Sequence, residues 1–158
     1  MPPEPKPPIE NGRLMKRILI VEDDKRITAA LQVRLTAKGY DVIAACNGFE
    51  GLKMAMSGRP DLILLDIMMP MGMGFSVAER LKSTGYGHIP IVFITASKRT
   101  GLRKTAEQLG AAGFFEKPYD AEELLAAISL IVGSSTPGSP PPPAFPLSQP
   151  APETRPCA

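Results

Sequence analysis

Apolar runs and amphipathic stretches alternate along this chain with a steady rhythm. Arg17-Ile-Leu-Ile-Val21 is a short β-branched run, as expected of a strand buried on both faces. It ends in Glu22-Asp23-Asp24. Ile27, Ala30, Leu31, Val33, Leu35 and Ala37 then form an apolar stripe at helical spacing, with Lys38-Gly39 as a C-terminal stop. Tyr40 to Ala45 reads as a second strand, and Asn47-Gly48 opens a second helix with Leu52, Ala55 and Met56 on its inner face. Asp61-Leu-Ile-Leu-Leu65 is the most apolar strand and therefore central. Val77, Ala78 and Leu81 mark a third helix that ends near Ser83-Thr-Gly85, and Pro90-Ile-Val-Phe-Ile94 a fourth strand. A more basic helix from Leu102 to Leu109, a short strand at Gly113-Phe-Phe-Glu116 and a last helix from Ala121 to Val132, N-capped by Asp120, complete the pattern.

Five strands alternating with five helices predict an α/β protein, with a mostly parallel sheet covered on both faces. Right-handed crossovers restrict such a chain to doubly wound forms. Ligands then sit beyond the carboxyl ends of the strands. The polar residues just past each strand are where function is to be sought.

Composition trims this picture at both ends. The chain has 158 residues and 18 prolines, five of them in the first eight residues and nine after Gly133. Average usage is roughly 5%. The sequence thus predicts a domain over residues 16–133, a proline-rich disordered arm over 1–15 and a proline-rich disordered tail over 134–158. The tail, with Pro140 to Pro143, Phe145 and Leu147, favours extended polyproline II geometry. A formal net charge of +2 gives no support to nucleic-acid binding, and with 25 residues after Gly133 no DNA-binding output domain is expected there. No run approaches the ~20 apolar residues of a membrane span, and the amino terminus lacks a secretory apolar segment. Cys46 and Cys157 form neither a disulfide framework nor a metal cluster, so a cytoplasmic location is expected.

The strand ends carry the chemistry. The first strand ends in Asp23 and Asp24, the third in Asp66, the fourth in Thr95 and the fifth in Lys117-Pro118. Adjacent strands lie about 4.8 Å apart, so these acids can share one site. Three carboxylates so close stay ionised only with a compensating cation or lysine. An oxygen-only cluster suits Mg²⁺, Lys117 supplies a point charge, and Thr95 offers a hydroxyl. The set reads as a phosphoryl-transfer site in which Asp66 is the nucleophile and Asp23 and Asp24 hold the metal.

Val21-Glu-Asp-Asp24, Leu65-Asp-Ile-Met-Met-Pro70, Ile94-Thr-Ala96 and Lys117-Pro118 together resemble the motifs of the receiver domain of bacterial two-component response regulators. The resemblance covers residues 16–132 and implies a flavodoxin-like fold with strand order 2-1-3-4-5. It implies that Asp66 accepts a phosphoryl group from a histidine kinase or phosphotransfer protein. Mg²⁺ would be held by Asp23, Asp24, Asp66 and the backbone carbonyl of Met68. Thr95 and Lys117 would contact the phosphoryl oxygens, and Phe114, three residues before Lys117, would be the switch aromatic that turns inward. By the same resemblance the face of helix four, strand five and helix five is the output surface. Here it carries Lys98, Arg99, Arg103 and Lys104, a cluster suited to an acidic partner.

The stretch after Asp66 departs from the family. Met68-Met-Pro-Met-Gly-Met-Gly74 puts four of the eight methionines within six residues, with Met73 where an acidic or small polar residue is usual. Met68 and Met71 are expected to border the site or face solvent, and Met69 and Phe75 to enter the core. Met68 cannot orient water by hydrogen bonds, which implies slow self-dephosphorylation. A phosphatase acting on external substrates would need a general acid at that position. The sequence expectation is a single-domain response regulator, not an enzyme on other substrates, that switches protein interactions. The alternative kept beside it is a phosphorylation-independent interaction module with the same fold.

Overall fold

The computed structural model describes residues 9–10, 13–69 and 74–133. Five strands form one parallel sheet: β1 (Arg17–Val21), β2 (Asp41–Ala45), β3 (Leu62–Asp66), β4 (Ile91–Thr95) and β5 (Gly113–Glu116). Their spatial order is β2-β1-β3-β4-β5, the doubly wound arrangement expected from the sequence. Ile20 pairs with Ala44 on one side and Leu64 on the other, and Leu65 pairs with Phe93. Between the strands run α1 (Lys25–Ala37), α2 (Gly48–Gly58), α3 (Gly74–Ser83), α4 (Leu102–Gln108) and α5 (Ala121–Gly133).

Strand alternation divides the core into two layers. Leu19, Val21, Ile63, Leu65, Phe93 and Phe114 point to the face covered by α2, α3 and α4. Ile18, Ile20, Leu62, Leu64, Ile94 and Phe115 point to the face covered by α1 and α5. The central strands are buried throughout because both faces are covered, which is why their sequences read as apolar runs and not as alternating patterns. Asp120 caps α5 as expected, its Oδ1 accepting from the backbone N–H groups of Glu122 at 2.8 Å and Glu123 at 3.1 Å.

Two features were not foreseen. Arg17, read as the start of a strand, is buried: its Nε donates to Asp41 Oδ2 at 2.6 Å and a guanidinium nitrogen to the Gly58 carbonyl at 2.7 Å. It ties β1, β2 and α2 together at the end of the sheet opposite the acidic residues. The second lies in the amino arm. There Ile9–Glu10 pairs antiparallel with Arg13–Leu14. Asn-Gly between two short strands is the strongest local hairpin signal a sequence offers. The proline-rich segments 1–8 and 134–158 lie outside the described residues, as do Pro70, Met71, Gly72 and Met73.

A candidate metal and phosphoryl-acceptor site

The site forms at the carboxyl rim where β1 and β3 end side by side, with the residue after β5 reaching it from beyond β4. Val21 is the last residue of β1, so Glu22 and Asp23 leave the sheet at its carboxyl rim while Asp66 closes β3 next door. One ligand oxygen each from Glu22, Asp23 and Asp66 lie within 4.8 Å of one another. Lys117, just past β5, reaches into the cluster: its Nζ donates to Glu22 Oε2 at 2.7 Å and to Asp66 Oδ2 at 3.2 Å. Glu22, Asp66 and Lys117 are all buried. The β5 end is registered on β4 by the Lys117 N–H donating to the Thr95 carbonyl at 2.6 Å, and the Lys117–Pro118 peptide is cis.

This corrects the acid set read from the sequence. Asp24 was expected in the metal site, but its Oδ1 accepts from the Arg26 N–H at 2.9 Å and caps α1. The acid that clusters with Asp23 and Asp66 is Glu22, whose Oε1 accepts from the Asp24 N–H at 3.1 Å. The strand ends one residue before the first acid, and the helix needs an N-cap at the third. Asp24→Ala is therefore expected to cost about 1 kcal/mol of stability through the lost cap. Mg²⁺ affinity should stay within a few-fold of wild type. A tenfold loss of Mg²⁺ binding by calorimetry, in Asp24→Asn as well, would return Asp24 to the metal set.

The other expected residues fall as follows. Asp66 is fixed by the Met68 N–H, which donates to its Oδ1 at 3.1 Å, and the Met68 side chain is exposed as expected. Met69 is buried, and Phe75 packs edge-on against Phe93 with ring centroids 5.1 Å apart. Thr95 is wholly buried at the end of β4, its Oγ1 accepting from the Ser97 N–H at 3.0 Å. Phe114 is buried on the α4 side of β5. Gly74 opens α3 with its N–H on the Ile67 carbonyl at 2.9 Å. A Cβ there would come within 2.5 Å of the Asp66 carbonyl oxygen, so only glycine lets α3 start this close to the acceptor strand.

Electrostatics single out Glu22. Burial, and then the negative charge of Asp66, push its carboxyl up to about 8 against the opposing pull of Lys117. Burial alone would lower Lys117, but Glu22 and Asp66 more than offset it and hold the ammonium above its ordinary value. Tyr119 is also raised, by burial first and then by the field of Glu22 and Asp66. Three acids facing one lysine leave a net negative, all-oxygen site, which fits Mg²⁺.

A pH dependence follows. Glu22 is raised above its unfolded value, so its contribution to stability is present at low pH and is lost as pH rises towards about 8. In EDTA the melting temperature is expected to fall between about pH 5 and about pH 8. The gain on adding Mg²⁺ should grow over the same window, since the ion needs the ionised carboxylate. Thermal scans with and without Mg²⁺ check this, and a gain independent of pH would contradict it.

A doubly wound α/β fold with an acid–lysine cluster at its carboxyl rim defines the class. Residues 18–129 match the response regulator receiver domain family, and the chain belongs to it. It is 44% identical over 114 residues to the transcriptional regulatory protein DltR of Streptococcus agalactiae, covering 72% of this chain and 50% of that one. It is 38% identical over 121 residues to the response regulator MprA of Mycobacterium avium, covering 77% and 53%. The chain thus spans about half the length of these curated relatives. Among solved structures it resembles a CheY-like receiver domain protein from Methanospirillum hungatei, with TM-score 0.71 and 28% identity over 75% of this chain and 94% of that one. The chemotaxis response regulator CheY4 of Vibrio cholerae gives TM-score 0.67 and 29% identity over 73% and 97%. Among the described residues no helix is long and apolar enough to cross a membrane.

Proposed function

We propose that residues 16–133 are a phosphorylation-controlled switch, with Asp66 the phosphoryl acceptor. The observation that carries this reading is the buried Asp66 carboxylate held between Lys117 at 3.2 Å and the Met68 N–H at 3.1 Å, beside two further acids. Glu22, Asp23 and Asp66 would hold Mg²⁺, with the Met68 carbonyl as a backbone ligand. The ion would neutralise the charge on the incoming phosphoryl oxygens. Asp66 would supply the attacking oxygen, and the phosphorus–nitrogen bond to the donor's imidazole would break as the new phosphorus–oxygen bond forms, the electron pair staying with the donor. Lys117 and the Thr95 hydroxyl, both at strand ends, would contact the transferred oxygens.

The phosphodonor is a histidine kinase or phosphotransfer protein. A groove of about 310 Å³ between α1 and α5 gives it a place to dock beside the acids. Ile27, Ala30, Leu31 and Tyr119 line the groove, and Arg26 and Arg34 stand at its edges. The downstream partner meets the surface of α4, β5 and α5. Lys98, Arg99 and Lys104 are the exposed cations there, which favours an acidic patch on that partner.

The test is intact-mass measurement after incubation with Mg²⁺ and acetyl phosphate. One phosphoryl group should be gained, lost again on hydroxylamine treatment as an acyl phosphate requires, and absent in EDTA. A protein that gains nothing under these conditions is the phosphorylation-independent module instead.

A further inference from the structure

The basic cluster after β4 does not present itself as four free charges. Lys98 Nζ lies 3.3 Å from Glu116 Oε2 and 3.5 Å from the Lys117 carbonyl oxygen, which fastens the β4–α4 loop to the end of β5. Arg103 lays its guanidinium over the ring of Phe114, with the central carbon 4.9 Å from the ring centroid. Two of the four cations are therefore turned back onto β5.

The helix that carries Arg103 is weakly held. α4 has seven residues, no acidic residue in its first turn, and is preceded at the N-cap position by Gly101, which has φ of 89° and gives no side-chain cap. Its buried contacts come from Leu102 and Ala106. A helix this short gains little from its own hydrogen bonds and keeps its place through what it packs on. On the β5 side Arg103 packs on Phe114, whose ring is 1% exposed.

We propose that Arg103 is a positioning residue that latches α4 to Phe114, so that the seat of α4 and the burial of that ring form one two-state element. With the ring in, the guanidinium has an aromatic face to cover. With the ring out, that face is gone and α4 loses one of its few contacts to the sheet. Lys98 anchors the other end of the same segment. The latch rests on the switch reading for its purpose, since it would carry an event at Asp66 to the α4 surface. Its existence is measurable without phosphorylation.

Hydrogen exchange of the 102–108 amides in the full chain tests it. Arg103→Ala is expected to speed exchange in α4 by about fivefold or more while the amides of β1 and β3, which report global opening, stay unchanged. Arg103→Lys should fall between, because the ammonium keeps the charge but not the planar stack. In a Phe114→Leu background, which keeps the bulk and removes the aromatic face, Arg103→Ala should add nothing further. Exchange in α4 within twofold of wild type, or an equal effect of Arg103→Ala in both backgrounds, overturns the latch. A last arm adds Mg²⁺ and beryllofluoride, a phosphoryl mimic. Wild-type α4 exchange should shift, and the shift should shrink in Arg103→Ala. No wild-type shift would count against the switch reading alone, since the arms without beryllofluoride have by then decided the latch.

Discussion

Asp66→Asn is expected to take up no phosphoryl group from acetyl phosphate and Mg²⁺ under conditions that phosphorylate the wild type. The amide oxygen is a poor nucleophile and would leave no acyl phosphate, while its shape and its acceptor for the Met68 N–H are kept. The same variant should be more stable than wild type in EDTA near neutral pH, by on the order of 1 kcal/mol. Glu22 is pushed up partly by the charge of Asp66, and removing that charge leaves Lys117 to serve Glu22 at 2.7 Å. The two effects have opposite signs for one reason, since the site sets like charges side by side to suit a cation. Intact mass measures the first and urea denaturation the second. Residual acyl phosphate on the variant would move the acceptor elsewhere, and an Asp66→Asn protein less stable than wild type in EDTA would mean that the acids do not repel.

Most of this arrangement was legible in the sequence, and the exceptions have physical reasons. The sheet could be read because parallel strands are covered on both faces, so each became an apolar run, and the strand order observed matches the one the family resemblance implied. The rim could be read because in a doubly wound sheet every strand delivers its next residue to the same edge. The acids that cluster are shifted by one residue from the set expected. Val21-Glu-Asp-Asp24 offers three carboxylates, and the point where pairing stops decides which two face the pocket. The signal that settles it was present: Asp24 stands immediately before a helix, the position where aspartate is a cap. The Asn11-Gly12 dipeptide was a second unread signal. Arg17 could not be found this way, because its partners Asp41 and Gly58 lie 24 and 41 residues on and only the folded chain brings them together. The same holds for the basic cluster. In sequence it is four like charges, but Lys98 reaches 18 residues ahead to Glu116, and Arg103 is spoken for by a ring on a different element.

Lys117→Met is expected to be the most damaging single change to stability, costing about 3–5 kcal/mol in EDTA. The reason lies in what it leaves behind. Methionine fills a similar volume, so packing is largely kept, but Glu22 and Asp66 lose the cation that bonds both. Two buried carboxylates then face each other and Asp23 with no counter-charge, and desolvation alone already opposes the ionised form of Glu22. Mg²⁺ should restore a large part of the loss, since it supplies positive charge to the same oxygens, and wild type should gain less from the same addition. Lowering the pH should also help Lys117→Met, because protonating Glu22 removes one of the unpaired charges. Urea denaturation with and without Mg²⁺, at about pH 5.5 and about pH 8, separates these terms. If Lys117→Met lost under 1 kcal/mol, or gained nothing from Mg²⁺, the lysine would not be what balances the acids. Without that balance, a new phosphoryl group at Asp66 would have no strong pull on the end of β5, and the path from Asp66 to Phe114 and α4 would lose its first link.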